Sequence, residues 1–196
     1  MFNDQQKQEM LTLARSAIKT YLETGRPPRI TAKQVAPYLR KPAGVFITLT
    51  LNGQLRGCIG HLKATMPLFK DITENAINAA FNDPRFIPLQ ENEFSKIKIE
   101  ISVLGQPKQI SYSSVADLLS KITPHQDGVI ISKGFHKATY LPQVWEELSD
   151  KEGFMCSLCI KAGLNPYAWQ NEKLDIETYQ VEKFAETNNS ENALKY

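Results

Sequence analysis

The sequence predicts an α+β fold, in which helices flank a mixed, mostly antiparallel sheet. Three observations carry the prediction: a long helix-period run at the start, an Asn-Gly turn between two β-prone runs, and further alternating segments broken by proline or glycine. Helices and strands alternate here without a regular strand–helix–strand rhythm, which argues against a parallel sheet.

Met10, Leu11, Ala14, Ala17, Ile18, Tyr21 and Leu22 recur at helical spacing, so the spacing predicts an amphipathic helix over Asp4–Thr24. Asn3 or Asp4 can cap its start, and Gly25 can end it in the left-handed conformation. Pro27 and Pro28 then enforce an extended connector. Val45–Leu51 and residues 54–62 flank Asn52-Gly53, the pair a type I′ hairpin turn requires. A helix follows Pro67, with Leu68, Ile72, Ala76, Ala79 and Ala80 on one face, and it stops at Asn82-Asp83-Pro84. Residues 96–104 alternate as a strand. Ser113 or Ser114 caps a short helix running to Ile122, and Asp127–Lys133 is a strand turned back at Gly134 into a partner through Leu141. A helix is predicted to start at Pro142 through Leu148 and to continue over Phe154–Ala162 until Gly163 closes it, and a last strand runs from Leu174 to Phe184. Residues 1–186 read as one domain, and 187–196 as a polar, frayed tail.

With 42% hydrophobic and 22% charged residues the chain has enough apolar surface to bury a core, which excludes a disordered protein. A net charge of +2 builds no strong field, so nucleic acid is not an expected partner. No apolar run reaches the roughly 18 residues a membrane span needs. Asp4, Gln5, Gln6 and Glu9 stand where a signal peptide would need a basic start and an apolar core, so none is expected. Three cysteines, an odd count, do not make a disulfide framework, so free thiols in a reducing cytoplasm are expected. No motif calls for a metal or cofactor.

Leu55-Arg56-Gly57-Cys58-Ile59-Gly60 stands out. An unbroken hairpin register would set Leu49 opposite Arg56, Ile47 opposite Cys58 and Val45 opposite Gly60, placing Arg56 and Cys58 on one apolar face. Such a hairpin would be covered on both sides. A cation beside a cysteine favours the thiolate, the form that attacks carbon or binds metal. Arg56 needs a partner, for which Glu100, Asp83 and Glu146 offer themselves. Gly57 and Gly60 mark a bulge or a close approach of backbone or ligand. The competing reading makes Cys58 a small core residue. His61 is a possible base for Cys58 only if the strand bulges or ends, because three residues on a regular strand separate the two onto opposite faces.

Cys156 and Cys159 have the spacing of a redox or metal pair, but they sit inside a helix and not at its start, no second ligand pair at finger spacing accompanies them, and they read as core. Asp83 and Arg85 form either a helix-terminating ion pair or a charged cleft wall. Trp145, Trp169, Tyr140 and Tyr167 read as core rather than ligand platform.

These segments together resemble the AMMECR-one domain family. The resemblance runs through Gly44-Val45-Phe46, Leu55 to Gly60, Ala79-Ala80, Asp83 to Phe86, Ile101 to Leu104, Tyr140 to Trp145 and Leu158 to Leu164. It implies a larger and a smaller lobe with the Arg-Gly-Cys-Ile-Gly segment near a cleft between them. It also implies company: Memo-like proteins and radical S-adenosylmethionine enzymes. This chain lacks the cysteine triplet that would hold an iron–sulfur cluster, so radical chemistry would belong to the partner. Cys58, Arg56 and His61 are the expected catalytic residues, and Gly57, Gly60, Asp83, Arg85, Glu100 and Gln143 the expected contacts to a small-molecule or peptide substrate. The alternative expectation is a non-catalytic docking module, in which exposed Arg85 or Lys137 would hold the partner.

Overall fold

The structure, a computed structural model, describes residues 1–187. The tail expected over 187–196 therefore lies, apart from Thr187, outside the described residues. In chain order the elements are α1 (Asp4–Thr24), β1 (Val45–Leu51), β2 (Gln54–His61), α2 (Leu68–Phe81), α3 (Glu91–Phe94), β3 (Ile97–Leu104), β4 (Lys108–Gln109), α4 (Val115–Ser120), β5 (Asp127–Lys133), β6 (His136–Tyr140), α5 (Lys151–Lys161), α6 (Ala168–Asn171) and β7 (Asp175–Ala185). Helices and an antiparallel sheet together make the chain α+β. Three 3-10 turns, Ala32–Gln34, Pro37–Arg40 and Pro142–Glu146, complete it. The last of them replaces the longer helix expected after Pro142.

The described residues divide into two compact units, one of Met1–Leu104 with residues 182–187, the other Gly105–Val181. In the first unit β1 lies between β2 and β3, antiparallel to both. The Asn3 side chain caps α1 by accepting from the Gln6 N–H, and Gly25 ends it at φ +67°. The apolar stripe of α1 (Met10, Leu11, Ala14, Ala17, Ile18) is buried with that of α2. Their partners are the alternate strand residues Val45, Ile47, Leu49, Ile97, Ile99 and Ile101. Period 3.6 on the helices and period 2 on the strands thus meet in one core. The opposite face of β1, carrying Phe46, Thr48 and Thr50, is only half-buried, so the hairpin is not covered equally on both sides as its sequence suggested.

In the second unit β5 pairs with β6 and β7, and β4 adds to β7, again antiparallel. Its core holds Trp145 stacked on Phe154 with ring centroids 3.6 Å apart, together with Trp169, Leu158 and Cys159. Both tryptophans are core residues, as expected, whereas Tyr167 is exposed.

Candidate functional site

The hairpin turn is the expected one, with Asn52 at φ +52° and Gly53 at φ +80°. Beyond it the register departs from the simple count. Leu51 faces Gln54 and Thr50 faces Leu55, but Leu49 then faces Gly57 and Thr48 faces Cys58. Arg56 is the extra residue of a β-bulge. The expected pairing of Leu49 with Arg56, Ile47 with Cys58 and Val45 with Gly60 is therefore wrong from the bulge onward. Cys58 leaves the Val45–Ile47–Leu49 face and joins Phe46, Thr48 and Thr50. Glycine at 57 was the sequence signal for a bulge, and a side-chain period of 2 converts that one-residue slip into a change of face.

The bulge also decides Arg56. Its side chain is buried and meets the Glu93 carboxylate through two hydrogen bonds of 2.9 Å each. Neither Glu100, Asp83 nor Glu146 is its partner. The guanidinium holds the Glu93 carboxyl below its ordinary range, and Glu93 Oε2 also accepts from the Gln90 N–H at 2.8 Å, fixing α3. The expected role of Arg56 as the cation beside Cys58 does not fit this geometry. It braces the bulge.

β2 pairs with β1 alone among the described residues, which leaves the outward backbone groups of Cys58 without a strand partner. The turn after α2 supplies one. The Cys58 N–H donates to Asp83 Oδ2 at 2.9 Å, and Arg85 Nη2 donates to the Cys58 carbonyl at 3.2 Å. Arg85 and Asp83 join through Nε and Nη2 at 2.9 and 2.6 Å. The guanidinium and two backbone N–H groups hold the Asp83 carboxyl far below the usual carboxylate range. Outward backbone groups make Thr48 and Cys58 a non-hydrogen-bonded pair, the kind with the closer side chains. Accordingly Thr48 Oγ1 donates to Cys58 Sγ at 3.3 Å, and the thiol is half-buried, not sealed in the core. Glu100, opposite Thr48 on β3, extends the same row and pairs with Lys183 at 3.0 Å. Two strand spacings put it about 10 Å from Cys58.

Gly57 and Gly60 have packing reasons. A β-carbon on Gly57 would lie 2.0 Å from the Ala79 carbonyl of α2, and one on Gly60 would lie 2.4 Å from the Phe46 ring. His61 points away from Cys58, as three residues on a regular strand require. Its Nδ1 meets Asp71 Oδ1 at 2.5 Å and Asn75 Nδ2 at 3.1 Å, both on α2. Asp71 also accepts from the Val45 N–H at 3.1 Å, and burial pushes its carboxyl up against these bonds. Gln143 belongs to the second unit, exposed on the Pro142–Glu146 turn.

The first unit thus brings together Cys58, Asp83 and Arg85, with Thr48 and Glu100 on the same sheet face, and sets His61 apart. Thr48, Glu93, Asp71 and Asn75 were missed from sequence. Asp71 and Asn75 did leave a signal, two polar residues one helical turn apart beside an apolar stripe. Cys156 accepts from Trp169 Nε1 at 3.4 Å and Cys159 is fully buried, its thiol pushed up by burial, in keeping with core packing.

Fold and site together define an α+β protein with a half-buried thiol on a bulged edge of its sheet. Residues 11–184 match the AMMECR1 family model, and the chain belongs to the AMMECR1 family. A protein of Methanothermobacter thermautotrophicus is 36% identical over 178 residues, covering 90% of this chain and 92% of that one. A protein of Pyrococcus furiosus is 39% identical over 186 residues, covering 90% and 86%. The crystal structure of the uncharacterised protein PH0010 from Pyrococcus horikoshii superposes with a TM-score of 0.78 at 34% identity, covering 94% of this chain and 93% of that one. Among the described residues no helix is long and apolar enough to cross a membrane.

Proposed function

We propose that this protein is an accessory enzyme whose nucleophile is Cys58, acting as a thiolate on an electrophilic carbon of a small molecule or peptide. One observation carries the reading: the Arg56 bulge turns Cys58 out of the packed face, and Asp83 and Arg85 fix its peptide from both ends. A thiol so placed has a set direction of attack and the Thr48 hydroxyl as its hydrogen-bond donor. Arg85, with 53% of its side chain exposed, offers Nη1, which makes no hydrogen bond among the described residues, to an anionic group of the substrate. Asp83 and Arg56 are positioning residues in this scheme. We place the protein in the cytoplasm, which its three free cysteines support. Memo-like and radical S-adenosylmethionine proteins are the proposed companions, a reading that rests on the family resemblance.

Docking of such a partner without catalysis is the second reading, favoured by Phe135, fully exposed at the tip of the β5–β6 hairpin beside Lys137. Incubation with a small-molecule extract followed by intact-protein and peptide mass spectrometry tests the first. A mass adduct on Cys58, absent from C58S, supports nucleophilic catalysis. No adduct, together with C58S and wild type capturing the companions equally, supports docking alone.

A further inference from the structure

On the other face of β2 lies a group that the Cys58 chemistry does not use. We propose that His61, Asp71 and Asn75 form a proton-accepting site, in which the free Nε2 of His61 takes a proton from a small molecule bearing an acidic O–H or N–H. The proposal stands apart from the Cys58 reading and survives its failure.

Asp71 is 1% exposed and Asn75 is fully buried, while the His61 side chain keeps 39% of its surface open. The ring is therefore anchored at its inner end and wet at its outer end. Nδ1 is engaged by Asp71, which leaves Nε2 as the remaining nitrogen, and among the described residues no hydrogen bond reaches it. A buried carboxylate on Nδ1–H fixes the tautomer that presents the Nε2 lone pair outward. Asp71 Oδ1 receives a second donor, Asn75 Nδ2 at 2.9 Å, and Oδ2 is taken by the Val45 N–H. That carboxylate is thus held rigidly with Oδ1 facing the ring.

Asn75 supplies the independent observation. Its Nδ2 donates to Asp71 Oδ1 and lies 3.1 Å from His61 Nδ1, and its buried Oδ1 has no partner among the described residues. An unpaired buried acceptor costs stability, and an apolar residue on α2 would avoid the cost. A structural staple between α2 and β1 needs only Asp71 and Val45. The orphaned acceptor marks an amide placed for what its Nδ2 does, which is to hold the Asp71 carboxylate against the ring.

The step is a proton transfer. The bond between hydrogen and the donor's oxygen or nitrogen breaks, its electron pair stays on the donor, and a bond to Nε2 forms. The ring becomes a cation whose charge the ionised Asp71 balances, and the donor leaves as the conjugate base, ready to react elsewhere.

Diethyl pyrocarbonate on the full chain, with peptide mapping over time, reads the Nε2 lone pair directly. Its ethoxycarbonyl group transfers to the nitrogen and ethyl hydrogen carbonate leaves. Exposed His125 and His136, whose Nδ1 meets the Ala162 carbonyl at 3.0 Å, are the internal references. The expected result is His61 modified about tenfold faster than His125, with D71N removing that advantage. A His61 rate at or below that of His125 overturns the proposal. Should D71N not fold, ring ¹⁵N shifts of the wild type decide the matter. Nδ1–H with a bare Nε2 supports the site, and Nε2–H overturns it.

Discussion

Gly57 has no room for a β-carbon, and the reason is a helix carbonyl that cannot swing aside. A G57A side chain would meet backbone at 2.0 Å, so β2 and α2 would have to part. The expected cost is about 3 kcal/mol, measured by urea denaturation. Arg56 sits one residue earlier, and its role depends on shape as well as charge. Lysine keeps the charge but cannot reach both Glu93 oxygens at once. R56K should lower stability by about 1 kcal/mol and loosen the bulge, seen as faster amide exchange at Arg56 and Cys58. Unchanged exchange there would remove Arg56 from the account of how Cys58 is placed.

At the scale of elements, each unit uses the same device. Phe46 lies opposite Gly60 and Tyr179 opposite Gly128, and in both pairs the aromatic ring occupies the space the glycine leaves. The hairpin that carries Cys58 depends on its turn, where Gly53 takes φ +80°. G53A should cost about 1 kcal/mol and nothing in α5, which a melt and a peptide-level exchange map would show together. Elements with strong periodic or turn signals were legible: α1, α2, the β1–β2 turn, β3 and β5 follow from spacing and caps. The 3-10 turns, α3, β4 and α6 were not, because two to five residues hold too little period to read. The site was legible in part. Cys58 and the Asp83–Arg85 turn stood out by residue type, but their joining rests on backbone hydrogen bonds that side-chain patterns do not encode. Arg56 misled for the same reason: one extra residue moved its neighbour to the other face.

Across the whole molecule, acid should act through the paired carboxylates. Asp83 and Glu93 are held below their unfolded values by Arg85 and Arg56. Their stabilisation is therefore complete above the unfolded carboxylate pKa of about 4 and is lost as pH falls through the folded values. Asp71 runs the other way: burial raises it, so its contribution is present at low pH and declines as pH rises through its folded value. Three lowered carboxyls, Asp83, Glu93 and the exposed Asp117, against one raised predict a melting temperature that falls below about pH 4. D83N should flatten that fall.

The bulge turns Cys58 out of the packed face and leaves its thiol half-buried. Timed alkylation of the native protein with iodoacetamide, mapped peptide by peptide, measures this against two built-in references, half-buried Cys156 and fully buried Cys159. Cys58 is expected to be labelled first, about tenfold ahead of Cys156, with Cys159 unlabelled until the protein unfolds. Labelling of Cys58 no faster than Cys156 would contradict it.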